Sequence, residues 1–290
     1  MRGLIIAALL AGQASAGSVP VFDGSRAFAH MRQLVALGPR PAGSPAIAQS
    51  RQYIKAQLAA AGVPVVEQTF EARTPAGRIP MVNLIATVPG QRAERILITG
   101  HYDTKRVREF RFVGANDGGS SAAFLIEMAR VLKARKNAFT YELVFLDGEE
   151  AVVEWAGTDH TYGSQHYVDT ARASGALATV KANLLVDMIA DRDLRIRRDE
   201  NSTPWLNDTL WAAARQVGQT AHFLEETTQI EDDHLPFIYA GIPSVDIIDL
   251  DYPAWHTAGD TMDAVDAKGL QVVADVVLAA LPAIEARLAR

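Results

Sequence analysis

The stretch RILITGHYD, residues 95–103, is apolar on both faces through its first half and closes on a histidine and an aspartate. A run of that kind fits a central strand covered on both sides better than a strand with one face in water. The ends of other predicted strands repeat the pattern. Asp117 sits in AND, Glu149 and Glu150 follow the apolar LVFL in DGEE, Asp187 closes VDM, and His256 stands in WHT near the last predicted strand. Further strands are expected over 63–72, 81–89, 141–150, 183–190, 194–198 and 243–249. Helical spacing of apolar residues covers 27–38, 46–62, 116–134, 204–218, 233–240 and 267–289. Strands alternating with helices imply an α/β fold, a three-layer αβα domain around a central, twisted, mostly parallel (mixed) sheet. Open sheets of this kind keep their sites just beyond the carboxyl ends of the strands, where these polar groups fall. No internal repeat or long linker divides the chain, so residues 17–290 are read as one domain.

The first residues, MRGLIIAALLAGQASAGS, combine one basic residue, a short apolar run from Leu4 to Leu10 and a small-residue site at Ala14–Ala16. They read as a signal peptide, residues 1–16, cleaved after Ala16. The apolar run falls short of the ~20 residues that a membrane anchor needs. A secreted or periplasmic protein is expected, with no membrane attachment after cleavage. The chain has no cysteine, so a disulfide framework, thiol catalysis and thiolate metal sites are excluded. A net charge of −6 argues against nucleic acid as a partner.

Imidazole and carboxylate groups without sulfur suit a catalytic zinc, which takes three protein ligands and keeps one position open. Asp117, Glu150 and His256 are the proposed ligands. The competing reading of a lone strand-end acid is a helix cap or a solvated residue, and Asp117 is well placed to cap the glycine-rich helix that follows it. Adjacent Glu149 and Glu150 can divide labour, one binding metal and the other moving protons. His30, His160, His166 and His222 lack acidic company at ligand spacing and read as surface or core residues. Trp205 and Trp211 read as ordinary core aromatics. In IEDDHLPF, residues 230–237, Asp233 is expected to start a helix, LPF to bury it, and Glu231 to be solvated.

The segments GPRPAGSP, GHYDTK, GANDGGSSAA, FLDGEEA and WHTAGDT resemble the zinc-dependent aminopeptidase superfamily with two co-catalytic zincs. FLDGEEAVVEW with YGSQH, then IEDDHLPF and PAWHT, resembles its animal-type glutaminyl-peptide cyclotransferase branch, from about Gly38 to the C-terminus. The resemblance implies a fold of the zinc aminopeptidase type and one zinc ion on Asp117, Glu150 and His256, with His101 and Asp187 as second-metal ligands in a two-zinc aminopeptidase. It implies Glu149 as proton shuttle, Asp232 and Asp187 as hydrogen-bonding carboxylates, and Trp155 and Trp255 at the pocket mouth. The substrates implied are peptide or protein N-termini, converted from glutamine to pyroglutamate with release of ammonia. A zinc aminopeptidase is the alternative enzyme, and an inactive binding domain on the same fold the third reading; the chain is expected to be a monomer. One departure stands out: Asp246 occupies a position where the animal enzymes carry histidine. Two neighbouring carboxylates there, Asp232 and Asp246, would raise a pKa.

Overall fold

The computed structural model describes residues 21–290, so the predicted signal peptide lies outside the described residues. β1 (Val65–Thr74) and β2 (Gly77–Val88) form an antiparallel hairpin closed at Thr74 and Gly77. β1 is one edge of the sheet, and most of its side chains reach solvent, Glu67 and Glu71 among them, which discourages pairing with another chain. Next come β4 (Phe139–Leu146), β3 (Arg92–His101), β5 (Val180–Asp187) and β8 (Ser244–Ile248), giving the order β1-β2-β4-β3-β5-β8. The β4–β3, β3–β5 and β5–β8 ladders are parallel and the other two antiparallel, as the expected mixed sheet requires.

Helices cover both faces. α1 (Gly24–Ala36), α2 (Pro45–Ala60), α3 (Gly119–Ala134), α5 (Pro204–Gln216) and α7 (Ala267–Leu288) share one core with one face of the sheet. α4 (Tyr162–Ala173) and α6 (Leu235–Tyr239) close the other through Tyr167, Val168, Ala171 and Phe237. α7 is long and apolar enough to cross a bilayer by composition, yet its apolar residues pack in the core, with α1, α3 and α5 as neighbours. Trp211 is fully buried edge-on against Phe223, and Trp205 packs at the same core, both as read from the sequence.

One expectation is refined and one corrected. The short strand predicted at 194–198 forms as β6 (Ile196–Asp199), but it pairs with β7 (Phe223–Thr228) in a separate parallel ribbon. β7 and α4 carry too little apolar periodicity to be read: β7 is FLEETT, with one buried residue, and α4 opens on YGSQH. The helix expected from Asp233 begins only at Leu235.

The sheet delivers the polar groups to one edge. His101 and Asp187 are the last residues of β3 and β5, Glu149 and Glu150 follow β4, Asp117 lies between β3 and α3, and His256 lies on the loop after β8.

Candidate metal centre and its cleft

Asp117 is the hub. Its Oδ1 lies 3.3 Å from His101 Nε2 and its Oδ2 lies 3.3 Å from His256 Nε2. The helix-cap reading of Asp117 is therefore wrong. Gly118 caps α3 in the left-handed region at φ 76°, and no side chain accepts from the first turn. A Cβ at position 118 would lie 2.2 Å from the Asp103 carbonyl and 3.0 Å from the His101 ring, so the glycine lets the two metal-capable segments touch.

Glu150 Oε1 stands 3.4 Å from His256 Nε2, completing the group Asp117, Glu150 and His256. Asp117 Oδ2 and Glu150 Oε1 are buried and have no hydrogen-bond partner among the described residues. A tetrahedral ion with bonds of about 2.0–2.1 Å sets its ligand atoms roughly 3.3 Å apart, and two of these separations match. Three convergent donors of the right chemistry, two of them otherwise orphaned, fit zinc. His256 adopts φ 53°, an uncommon conformation for histidine that costs on the order of 1 kcal/mol and turns its ring inward. Burial pulls its pKa down, but Asp117 and Glu150 outweigh that and push it up to about 9. Burial would raise Asp117, yet the close His101 and His256 rings hold its carboxyl well below the usual range.

The second group, His101, Asp117 and Asp187, differs because it is already bonded within itself. His101 Nε2 lies 3.0 Å from Asp187 Oδ1, which also accepts the Met188 N–H at 2.8 Å. Met188 takes φ 44° to allow this.

Asp103 meets His101 Nδ1 at 3.4 Å and also places the tandem glutamates. Its two oxygens accept the backbone N–H groups of Glu149 at 3.2 Å and Glu150 at 3.4 Å. Gly148, at φ 73°, makes the turn off β4. Glu149 thereby points into the cleft, Oε2 3.8 Å from His101 Nδ1. Burial, with Asp232, Glu150 and Asp233 nearby, pushes its carboxyl well above the ordinary range against the pull of His101. A buried carboxyl held above its ordinary range, beside a metal-capable group, is suited to proton transfer.

The acids of IEDDHLPF separate clearly. Asp232 is buried, lines the cleft and leaves Oδ2 free of partners among the described residues, while Oδ1 accepts the Asp233 N–H. Asp233 is not the helix cap it was read to be. His234 occupies that position with no side-chain cap bond, and Asp233 is buried against the Ser164 hydroxyl on α4. Glu231 is exposed at the cleft rim, and Phe237 is buried as expected. Behind them, His234 Nε2 lies 3.0 Å from Asp199 and Nδ1 lies 3.7 Å from Asp246. Burial, then Asp232 and Asp199, push the Asp246 carboxyl well above its usual range, as two neighbouring acids should.

Both tryptophans line a cleft of about 390 Å³. Trp255 is 44% exposed and stacks on His256 at 4.5 Å between ring centres. Trp155 stacks on His160 at 4.2 Å, which gives that histidine a role sequence reading did not assign. Asp159 holds the Trp155 loop by accepting the N–H groups of Val152, Val153 and Glu154 and the Tyr162 hydroxyl. The remaining histidines agree with their reading: His30 meets Tyr53, His166 stacks on Phe70, and His222 meets the Leu194 carbonyl. Lys105, 3.4 Å from Glu150, and Ile230 also line the cleft and were not singled out.

The carboxylate–histidine centre lies just past the carboxyl ends of the parallel strands, where open α/β sheets place a site, and its donor set is that of a metal-dependent enzyme. The model of peptidase family M28 matches residues 83–281. The crystal structure of a glutaminyl cyclase from an Acidobacteriales bacterium superposes with a TM-score of 0.89, covering 96% of this chain and 100% of that one at 42% identity. The glutaminyl-peptide cyclotransferase of Bothrops jararaca is 30% identical over 77% of this chain and 72% of its own length. A glutaminyl-peptide cyclotransferase-like protein of Bos taurus is 28% identical over 77% of this chain, which spans 66% of that longer protein. The chain belongs to peptidase family M28, in its glutaminyl-cyclase branch.

Proposed function

We propose that this protein is a zinc-dependent glutaminyl-peptide cyclotransferase that closes N-terminal glutamine to pyroglutamate and releases ammonia. The observation that carries this reading is the meeting in one cleft of the Asp117–Glu150–His256 group, the buried Glu149 and an Asp232 oxygen without a partner among the described residues. Bound zinc would supply Lewis acidity to the side-chain amide carbonyl of the substrate, and one ion is expected.

The reaction joins the α-amino nitrogen to the side-chain amide carbon and breaks the bond from that carbon to the amide nitrogen. The nucleophile is tethered, so orientation is partly supplied by the substrate itself. Glu149 takes the proton from the attacking amine and returns it to the departing nitrogen, which leaves as ammonia. Asp232 accepts an N–H of the substrate amide and aligns the leaving group. Asp187, bonded to His101, holds the floor of the site in place. Trp155 and Trp255 narrow the mouth and keep water, the competing nucleophile, from the carbonyl.

The enzyme acts on the N-termini of peptides or proteins. Residues 1–16 support export to the periplasm or the medium by their sequence alone. Residues 17–290 serve as one catalytic unit, working as a monomer. The test is to incubate the protein with a glutamine-initiated and a leucine-initiated peptide, following ammonia and free amino acid separately. Ammonia without amino-acid release, abolished by chelator and restored by zinc, is expected. Leucine release would instead make the protein an aminopeptidase. The rate should peak at mildly alkaline pH, because the attacking amine must be neutral and its free pKa is about 7.7–8.0.

A further inference from the structure

Asp117 has to meet His256, yet the segment that carries it is short, glycine-flanked and crowded by other acids. Its carbonyls and its amides are held by two different buried charges. On the carbonyl side, Arg40 is fully buried and donates to Val113 O at 2.7 Å and to Gly114 O at 3.0 Å. A third bond to Gly38 O at 3.2 Å ties the guanidinium to its own loop. On the amide side, Asp260 takes every N–H from 115 to 117. Its backbone carbonyl accepts from Ala115 at 3.4 Å, Oδ1 from Asn116 at 2.8 Å and Oδ2 from Asp117 at 3.2 Å. Tyr252 fixes that carboxylate from the other side with a hydroxyl bond of 2.8 Å to Oδ1.

Asp260 stands four residues after His256 and on the same loop. Asp260 therefore fixes the backbone of one candidate ligand, Asp117, 143 residues away in sequence, and belongs to the segment that presents another, His256. We propose that Arg40 and Asp260 are positioning residues, a clamp of opposite charges that presets the 113–117 loop and so determines how tightly the centre holds its metal. Without the clamp, Asp117 would be free to swing away from Glu150, since like charges held close repel. Gly114, at φ +52°, makes the tight turn that brings the Asp117 carbonyl against it, where a Cβ would not fit. Arg40 also offsets the negative charge that Asp260 adds beneath the ligands. Groups that orient ligands from behind contribute to metal affinity without touching the ion.

The inference rests on the zinc reading of Asp117, Glu150 and His256, and its test separates the two. Metal-free full chain is titrated with Zn²⁺ in competition with a chromophoric chelator, and with Co²⁺ while its visible bands are followed. Asp260→Asn and Arg40→Met are expected to weaken Zn²⁺ binding by about 10- to 100-fold and to alter the Co²⁺ bands. Tyr252→Phe, which removes one hydrogen bond to the clamp and little volume, is expected to weaken it by about threefold. Glu285→Gln breaks the remote buried pair with Arg135 and should lower thermal stability while leaving Zn²⁺ affinity unchanged. Wild-type affinity in Asp260→Asn overturns the clamp. Should that variant fail to fold, Tyr252→Phe decides, and unchanged affinity with unchanged Co²⁺ bands overturns it equally. A wild-type chain that binds neither ion overturns the zinc reading, and the clamp with it.

Discussion

His101 Nε2 meets Asp187 Oδ1 at 3.0 Å, so the donors of the would-be second metal site already satisfy one another. Asp117 Oδ2 and Glu150 Oε1, in contrast, face His256 without hydrogen-bond partners among the described residues. Zinc entering the first group would take up carboxylate oxygens held only by ion-pair contacts of 3.3 and 3.4 Å to His256, whereas entry into the second would have to break a buried hydrogen bond. One tightly bound zinc per chain is therefore expected from titration of the metal-free protein. Two equivalents of equal affinity would contradict the assignment.

Glu149→Gln keeps the shape of the side chain and removes its capacity to take a proton. The expected result is a fall in kcat of about 10²- to 10⁴-fold, the range that general acid–base catalysis contributes. Zinc content should be unchanged, because Glu149 lies outside the ligand group. Steady-state kinetics beside metal analysis checks both halves, and loss of zinc in the variant would remove Glu149 from the proton-transfer role.

How much of this was legible in the sequence follows from how local each signal is. His101, Asp187 and the GEE pair could be placed because an apolar run ending in a polar group marks a strand end by itself. The partners of those residues could not. Asp199 anchors His234 from a ribbon strand of four residues, and Asp260 reaches Asn116 and Asp117 from far along the chain. Neither spacing nor periodicity encodes such a contact. Asp233 misled for a related reason: an acid before an apolar run has the pattern of a cap, while its partner, Ser164, sits on α4, a helix whose weak pattern hid it. His160 was set aside for want of acidic neighbours, but its use is the face it offers to Trp155.

Trp255 covers His256 while remaining partly open to solvent, so its loss should affect the pocket more than the fold. Trp255→Ala is expected to lower kcat/KM by roughly tenfold, through lost contact area and a wetter cleft, with the melting temperature nearly unchanged. Kinetics on a glutamine peptide identical to wild type would show that the indole does not line the substrate site.

Metal binding should depend on pH in a definite direction. In the metal-free protein His256 is raised to about 9, so over the neutral range it carries a proton that zinc must displace. Apparent zinc affinity should then rise by about tenfold per pH unit from pH 7 toward 9, and flatten above it as the imidazole becomes neutral on its own. Competition titrations at half-unit steps measure the slope. A flat profile from pH 7 to 9 would mean that His256 is not a ligand.

Asp246 carries the last prediction, one about stability. Its carboxyl is buried, and neither oxygen has a hydrogen-bond partner among the described residues. Burial, followed by Asp232 and Asp199, places its folded-state pKa well above the unfolded value near 3.8. The sign follows from linkage. An acid raised on folding binds its proton more tightly in the native state, so it costs nothing below the unfolded pKa and destabilises progressively as pH rises above it. Asp246→Asn removes the ionisable group at nearly constant volume and leaves an amide able to donate toward Asp232 or Asp199. The melting temperature of the variant should therefore match wild type near pH 4 and exceed it increasingly toward pH 8. If the variant is instead less stable than wild type at pH 8, Asp246 is ionised in the native state and paired with His234, whose Nδ1 lies 3.7 Å away. The position would then act as one half of an ion pair rather than as a buried acid.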